Sequence, residues 1–549
     1  MTDISWDPPG PGLWELDRSH MVGGTTPIMQ SVQRRALPSG MRRVFRELGT
    51  PADTLDVAFV NGFFYSRLRP LIRPDRPATS LPPLPLLKLA SRLHPEMRRR
   101  AKTAARTLRE RPWQAVVAEW ETNGRAAVEH ANLVLQDVDL RALDDESLAL
   151  HVAALIEHCT EMWELHFWLH GYDLGPIGLL LSAAARWGLD VSEVIELLSG
   201  ASPSTSEPVR VLSAIRAAVE QSGTTPATLD DVRRISPEVA ADLDRYLRYR
   251  SARLFSRYDL DGVTLGEVPE MVLSTIMASE VREASGTLAE RTARLRAQVP
   301  EADRAQFDAR LAEARSAMNL RDDNGPTTAE WPLGLMRLGL LELGRRLVER
   351  GLAERREHVF ELDPDEVMAS LFTGGAPSSA ELAARASNRR RLASLDPPQT
   401  LGVAEPAAPL DILPDALAEF VMAVQMVIEQ LGMGGDRAEG SGLQGAGIGA
   451  ESYRGIARRA DSPEEALDAM APGDILVVPC TTPAYNMVLA IAGGVVTATG
   501  GPLSHAAVLS RELGIPAVIG AVGALSLIGD GDEIEIDPVA GEVRIIARA

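Results

Sequence analysis

The stretch GMGGDRAEGSGLQGAGIG, residues 432–449, constrains the fold more than any other feature, because the chain changes texture across it. Glycine at this density leaves nothing to pack and a backbone too free to hold a helix or strand, so the composition reads as a flexible connector. From residue 85 to 431 the text before it is mostly helical, written in Ala, Leu and Arg. LGLMRLGLLELGRRLVERG places Met336, Leu340, Leu343 and Leu347 on one face and is expected to stop at Gly351. DDESLALHVAALIEHCTEMWELHFWLHG is expected to start at an Asp145 or Ser147 cap and to end at Gly171. After the connector the runs are short. GDILVVP and GGVVTATGG read as strands, SHAAVLSRELG as a helix ending at Gly514, IPAVIG as a further strand and DEIEIDPVAGEVRII as a terminal hairpin. Strands alternating with helices make a small α/β domain. The first 84 residues are mixed, with DVAFVNGFFYSRL reading as a strand or a hairpin, Asn61-Gly62 its turn signal, and the Pro-rich TSLPPLPLLK as a connector. The expected division is an N-terminal mixed part, 1–84, a helical domain, 85–431, a linker, 432–442, and a C-terminal α/β domain, 443–549.

At 549 residues and 45% hydrophobic composition the chain can bury several cores, about three by length alone. There are 56 Lys and Arg against 76 Asp and Glu, a formal charge of −20, which disfavours nucleic acid and anionic membrane as partners. The two cysteines, Cys159 and Cys480, lie far apart in apolar surroundings and read as reduced thiols of a cytoplasmic protein. MTDISWDPPGPG has neither the basic nor the apolar run of a signal peptide, and no uncharged apolar stretch long enough for a membrane span occurs.

One histidine stands out in GGPLSHAAVLSRELG. If the helix starts near Ser504, His505 lies in its first turn, where free backbone N–H groups favour an anion. Gly500 and Gly501 let the backbone approach a phosphate, and Ala506 and Ala507 leave room for the ring. An imidazole there can act as a nucleophile and carry a phosphoryl group; simple capping of the helix start is the other role open to it.

TGGPLSHAAVLSRELGIPAVIG resembles the phosphohistidine signature of the PEP-utilizing enzyme family, the swivelling domain of PEP synthase and pyruvate phosphate dikinase. The resemblance runs from LQGAGIG through PGDILVVPCTTPAY to DGDEIEIDPVAGEV, about residues 442 to 548. It implies that His505 is the phosphorylated residue, with Gly500, Gly501 and Ser504 around the phosphate. Ala498 stands where relatives often carry an acidic residue. Other parts of such proteins are not apparent: no Walker-type or Lys/Gly-rich nucleotide loop is found, nor the strand–helix alternation of a barrel. The chain is therefore expected neither to make PEP nor to charge itself from ATP.

Two looser resemblances concern the acceptor. WELDRSHMVGGTTPI and RDDNGPTTAEWPLGLMRLGLLELGRRLVERGLAERREHVFELDPDEV resemble the start and the end of the acceptor domain in rifampin phosphotransferase and phenylphosphate synthase-like proteins. The second of these families keeps its nucleotide domain on a separate subunit. The resemblance implies a phosphotransferase component charged by an ATP-using partner subunit, with Mg2+ or Mn2+ accompanying the nucleotide and AMP and phosphate as products. His505 would then pass the group to the hydroxyl of a small, aromatic or apolar molecule. A rifampin phosphotransferase-like antibiotic-modifying protein and a non-catalytic phosphohistidine carrier are the alternatives.

Within the acceptor part, Arg321 can hold phosphoryl oxygens in a fork and Asp322 can take a hydroxyl proton or bind a metal; a solvated charge cluster in the turn before the next helix is the other reading. His20 is a base or substrate ligand, or a structural loop residue. Trp163, His166, Phe167 and His170 share a helical face by their spacing, as a pocket wall for an aromatic alcohol or as a core stripe. Tyr65 lines the same pocket or sits in strand core. The pair at i, i+4 lacks the HExxH context, so no metal is assigned.

Overall fold

The computed structural model describes residues 4–17, 21, 23–76, 80–278, 288–371, 377–404, 406, 409–432, 442–461, 463–481 and 485–549. His20 and the body of the expected linker lie outside them. The chain forms two compact units. The first is Met1–Tyr172, Ala252–Val263 and Asn324–Val421; the second is Asp173–Ser251, Thr264–Asp323 and Met422–Ala549. Among the described residues no helix is long and apolar enough to cross a membrane.

In the first unit a four-stranded antiparallel sheet runs in the order Ala52–Val60, Phe63–Pro70, Leu13–Leu16, Thr400–Gly402. Its hairpin turns at Asn61 and Gly62, whose φ values of 52° and 82° are both left-handed, as a two-residue turn matching the strand twist requires. The rest is helical. Asp145–Arg186 is one helix of 42 residues, capped by Asp144, whose Oδ1 accepts the Ser147 N–H at 2.8 Å. It belongs to the first unit through Tyr172 and to the second from Asp173. It does not end at Gly171. That glycine is a contact point instead, since a Cβ there would overlap Val44 Cγ2.

The charged pair Arg321-Asp322 is likewise not in a turn. It ends the helix Arg304–Asn324, which continues through a π-helical turn, Gly325–Glu330, into the helix Trp331–Glu349. Pro326 has no N–H to return to the preceding turn, and a widened register absorbs that loss without breaking the rod. Met336, Leu340, Leu343 and Leu347 are all buried, as the periodicity predicts.

The C-terminal part of the second unit carries a seven-stranded sheet. Its order is Glu542–Ala547, Glu533–Asp537, Tyr453–Arg459, Ile475–Val478, Gly494–Thr497, Ala517–Ile519, Ala446–Ile448. The four strands from Tyr453–Arg459 to Ala517–Ile519 pair in parallel. Ile475–Val478 and Gly494–Thr497 are buried throughout, because helices and hairpins cover both faces. One apolar layer joins Leu476, Val478, Val495 and Ile519 to Ala506, Ala507 and Leu509; the other joins Ile475, Val477, Val496 and Val518 to Ile534 and Ile536. The chain is thus multidomain and largely helical, with a sheet domain at its C-terminal end.

Candidate functional site

The helix His505–Leu513 opens at the C-terminal edge of the central parallel strands, where crossover loops of such sheets gather functional groups. Ser504 is its N-cap, the Oγ accepting the Ala507 N–H at 3.4 Å, and Gly514 closes it with φ 65°. Gly500 has φ 108°, and a Cβ there would lie 3.1 Å from Ser504 Oγ, so the loop before the histidine requires glycine at this point.

His505 therefore occupies the first helical position, with Nδ1 2.9 Å from Thr481 Oγ1. In the tautomer with Nδ1–H donating to Thr481, Nε2 is the basic nitrogen. Protein encloses most of the ring while leaving the residue partly exposed. That enclosure, and secondarily the Arg321 guanidinium, push its pKa down to about 3, so the imidazole is neutral at physiological pH. A neutral, oriented imidazole is the form able to attack a phosphorus atom.

Helices of the same unit complete the surroundings. Arg321 donates from Nη2 to the Leu503 carbonyl at 2.6 Å, and its Nη1 lies 3.4 Å from Asp322 Oδ1. Only 12% of the Arg321 side chain and 14% of that of Asp322 is exposed. Asp322 Oδ2 accepts from Thr205 Oγ1 at 3.3 Å. Burial raises the Asp322 pKa, opposed by Arg321, so its carboxylate gains by accepting a proton. Leu503 inserts among Leu198, Met318 and Val427. Arg511 pairs with Glu196 at 2.5 Å, and Glu512 accepts the Gly200 N–H at 2.7 Å. Glu512 is raised by burial, with Asp322 adding to the effect. The loop bearing His505 is thereby seated on helices that present one guanidinium and one proton-hungry carboxylate.

The second unit therefore brings together His505, Ser504, Gly500, Gly501, Arg321 and Asp322, whereas Tyr65, Trp163, His166, Phe167 and His170 lie in the first unit. There Trp163, His166, Phe167 and His170 form one cluster. Trp163 lies 5.3 Å from His166 and 5.6 Å from Phe167, ring centre to ring centre, and the two histidine Nε2 atoms are 3.1 Å apart. The cluster is tied to the π-helical turn: Asn324 Nδ2 donates to the His166 carbonyl at 3.1 Å, and His166 Nδ1 lies 3.3 Å from Thr328 Oγ1. Tyr65 belongs to a different group. Fully buried, it packs with Trp14, Leu16, Phe63 and Leu401, and its hydroxyl donates to the Pro398 carbonyl at 2.7 Å. Sequence reasoning missed Thr481, although it stands in the PCTTPAY run that carries the resemblance, and also Thr205, for which no local pattern exists. Among the described residues no cluster of three or more His, Cys, Asp or Glu is arranged for a metal.

Strand order, capped helix and oriented histidine define a class. Residues 470–541 match the family PEP-utilising enzyme, mobile domain, and the C-terminal part of the chain is such a domain. Three relatives extend the comparison. Chondramide synthase cmdD of Chondromyces crocatus is 28% identical over 99% of this chain but only 14% of its own length. The uncharacterized phosphotransferase YvkC of Bacillus subtilis is 29% identical over 45% of this chain and 28% of its own length. Phosphoenolpyruvate synthase of Deinococcus radiodurans is 36% identical over 18% of this chain and 13% of its own length. The chain thus spans less than a third of the length of these relatives.

Proposed function

We propose that this chain is the acceptor-and-phosphohistidine component of a dikinase-type phosphotransferase. His505 Nε2 takes a phosphoryl group that originates in ATP and is loaded, with Mg2+ or Mn2+ on the nucleotide, by a nucleotide-binding module outside these 549 residues, on a partner subunit. The C-terminal domain then offers the group to the hydroxyl of a small aromatic or apolar acceptor. Arg321, now donating to the Leu503 carbonyl, turns its fork to the phosphoryl oxygens, and Asp322 receives the proton of the attacking hydroxyl. The single observation that carries this reading is the seating of a neutral His505, held by Thr481, beside the Arg321 guanidinium.

The test is label transfer from β-³²P-ATP to the purified chain, alone and with lysate of the native host. Acid-labile label that needs the lysate supports the proposal. Label without lysate would move the nucleotide site into this chain, and no label under either condition would end the reading.

A further inference from the structure

Among the described residues of the first unit, buried carboxylates are held, with one exception, by at least one short hydrogen bond. Asp259 accepts the Thr26 N–H at 2.9 Å, the Thr26 hydroxyl and the Leu260 N–H at 2.7 Å. Glu361 accepts from Arg389 Nε at 2.9 Å, and Glu342 is bracketed by Arg345 and Arg346. Glu330 is the exception. It is 7% exposed, yet the hydrogen bond to its carboxylate comes from the Tyr258 hydroxyl at 3.4 Å, long for an O–H donor. Arg253, the cation that acts on it, lies over the Trp331 ring at 5.2 Å. A buried carboxylate with so little compensation is costly, and a ligand that donates to it would offset that cost.

The surroundings have room for one. Glu330 closes the π-helical turn Gly325–Glu330. Space stands open at the other end of that turn: a Cβ on Gly325 would meet nothing within 4 Å except the Tyr258 hydroxyl at 3.9 Å. Aromatic rings continue from there. Tyr258 meets Trp163 edge to face at 5.7 Å, and Trp163 leads on to Phe167 and His166. Trp163 is buried, while Tyr258, Phe167 and His166 keep an intermediate exposure, so ring surface beside the carboxylate is accessible.

We propose that Glu330, Tyr258 and Trp163 form a binding site for an uncharged, ring-bearing alcohol, with the ligand hydroxyl donating to the Glu330 carboxylate and its ring lying against Trp163 and Tyr258. An anion is repelled by the carboxylate. A cation gains little where Arg253 already supplies positive charge. A neutral hydroxyl adds the missing short donor without adding charge, and the aromatic rings reward burial of its apolar body. The inference goes beyond the phosphotransfer reading and is independent of it: it assigns a binding site within the first unit and gives its ligand no part in the transfer step.

Calorimetry on the full chain at pH 8 with benzyl alcohol, benzyl methyl ether and benzylamine compares one body with three polar groups. Benzyl alcohol is expected to bind about tenfold more tightly than the ether, the size of one good hydrogen bond to a charged group. Glu330→Gln should weaken the alcohol about tenfold and erase its preference over the ether. Gly325→Val, which leaves both polar groups in place, should weaken alcohol and ether alike by filling the open space. Equal binding of alcohol and ether, tighter binding of benzylamine, no binding of the alcohol at millimolar concentration, or unchanged alcohol affinity in Glu330→Gln would each overturn the proposal. Failure of benzyl alcohol to bind leaves the labelling of His505 standing, and failure of labelling leaves the alcohol site standing, so the two readings fall separately.

Discussion

His505 in the second unit and Glu330 in the first are both titratable groups that enclosure drives toward neutrality, and they reach it from opposite sides. Burial pushes the imidazole down to about 3 and the carboxyl up to about 7. The two differ in how they are held. His505 has a close partner in Thr481 and a capped helix beneath it, all within one small domain. Glu330 has one long hydrogen bond, and its neighbours come from segments far apart in the chain. A reactive nitrogen must be aimed before its substrate arrives, whereas a binding carboxylate can leave its best hydrogen bond to the ligand.

The sharpest way to break this contrast is His505→Ala. It is expected to abolish acid-labile label completely while the circular dichroism spectrum stays unchanged; any residual label would place the phosphoryl group elsewhere. Arg321→Ala comes next. The variant should still accept label on His505, but passage to an acceptor alcohol should fall about 100-fold, the usual effect of removing one charge-stabilising donor. Equal passage by variant and parent would remove Arg321 from the transfer step.

A smaller effect is expected at Glu330. Its native pKa of about 7 lies above the ordinary carboxyl value of 4.5, so the native state holds the proton more tightly than the unfolded chain does. The stability this gives is complete below pH 4.5 and is lost as pH rises through 7. Glutamine imitates the protonated form. Glu330→Gln should therefore be more stable than the parent by about 1–3 kcal/mol at pH 8 and equal to it below pH 4.5, as read by urea unfolding. A constant difference at both pH values would show that Arg253 and Tyr258 already satisfy the carboxylate. For His505 the sign reverses. Its lowered pKa gives stability that is complete above 6.5 and declines as pH falls toward 3.

The smallest effect separates the two causes of the His505 shift. Burial is the larger and Arg321 the lesser. In Arg321→Met, NMR titration should find the imidazole above about 3 but still well short of the ordinary 6.5. Full recovery to 6.5 would make the guanidinium the main cause, and would make the enclosure of His505 a weaker parallel to that of Glu330.

Much of this was legible without coordinates. The Asn61-Gly62 turn, the strands around GDILVVP and GGVVTATGG, the Ser504 cap and the Gly514 stop each depend on a few adjacent residues whose backbone preferences agree with the fold. His505 was found for the same reason: the glycines, the cap and the histidine fall within a single loop and helix start. Gly171 misled because the same residue type that ends helices also permits close packing, and only the neighbour decides which. Periodicity likewise put Trp163, His166 and His170 on one face, but not what faced them.

The sequence by itself determined the local parts of this protein: the short strands and helices of the C-terminal α/β domain, the capped helix of His505 and the amphipathic helices, because dihedral preference, capping and periodicity act over a few residues. Only the tertiary structure decided that Thr481 orients His505, that Arg321 meets the Leu503 carbonyl, and that Glu330 is buried with a single long hydrogen bond. Those are matters of distance and desolvation between residues remote in the chain, and both are set by packing.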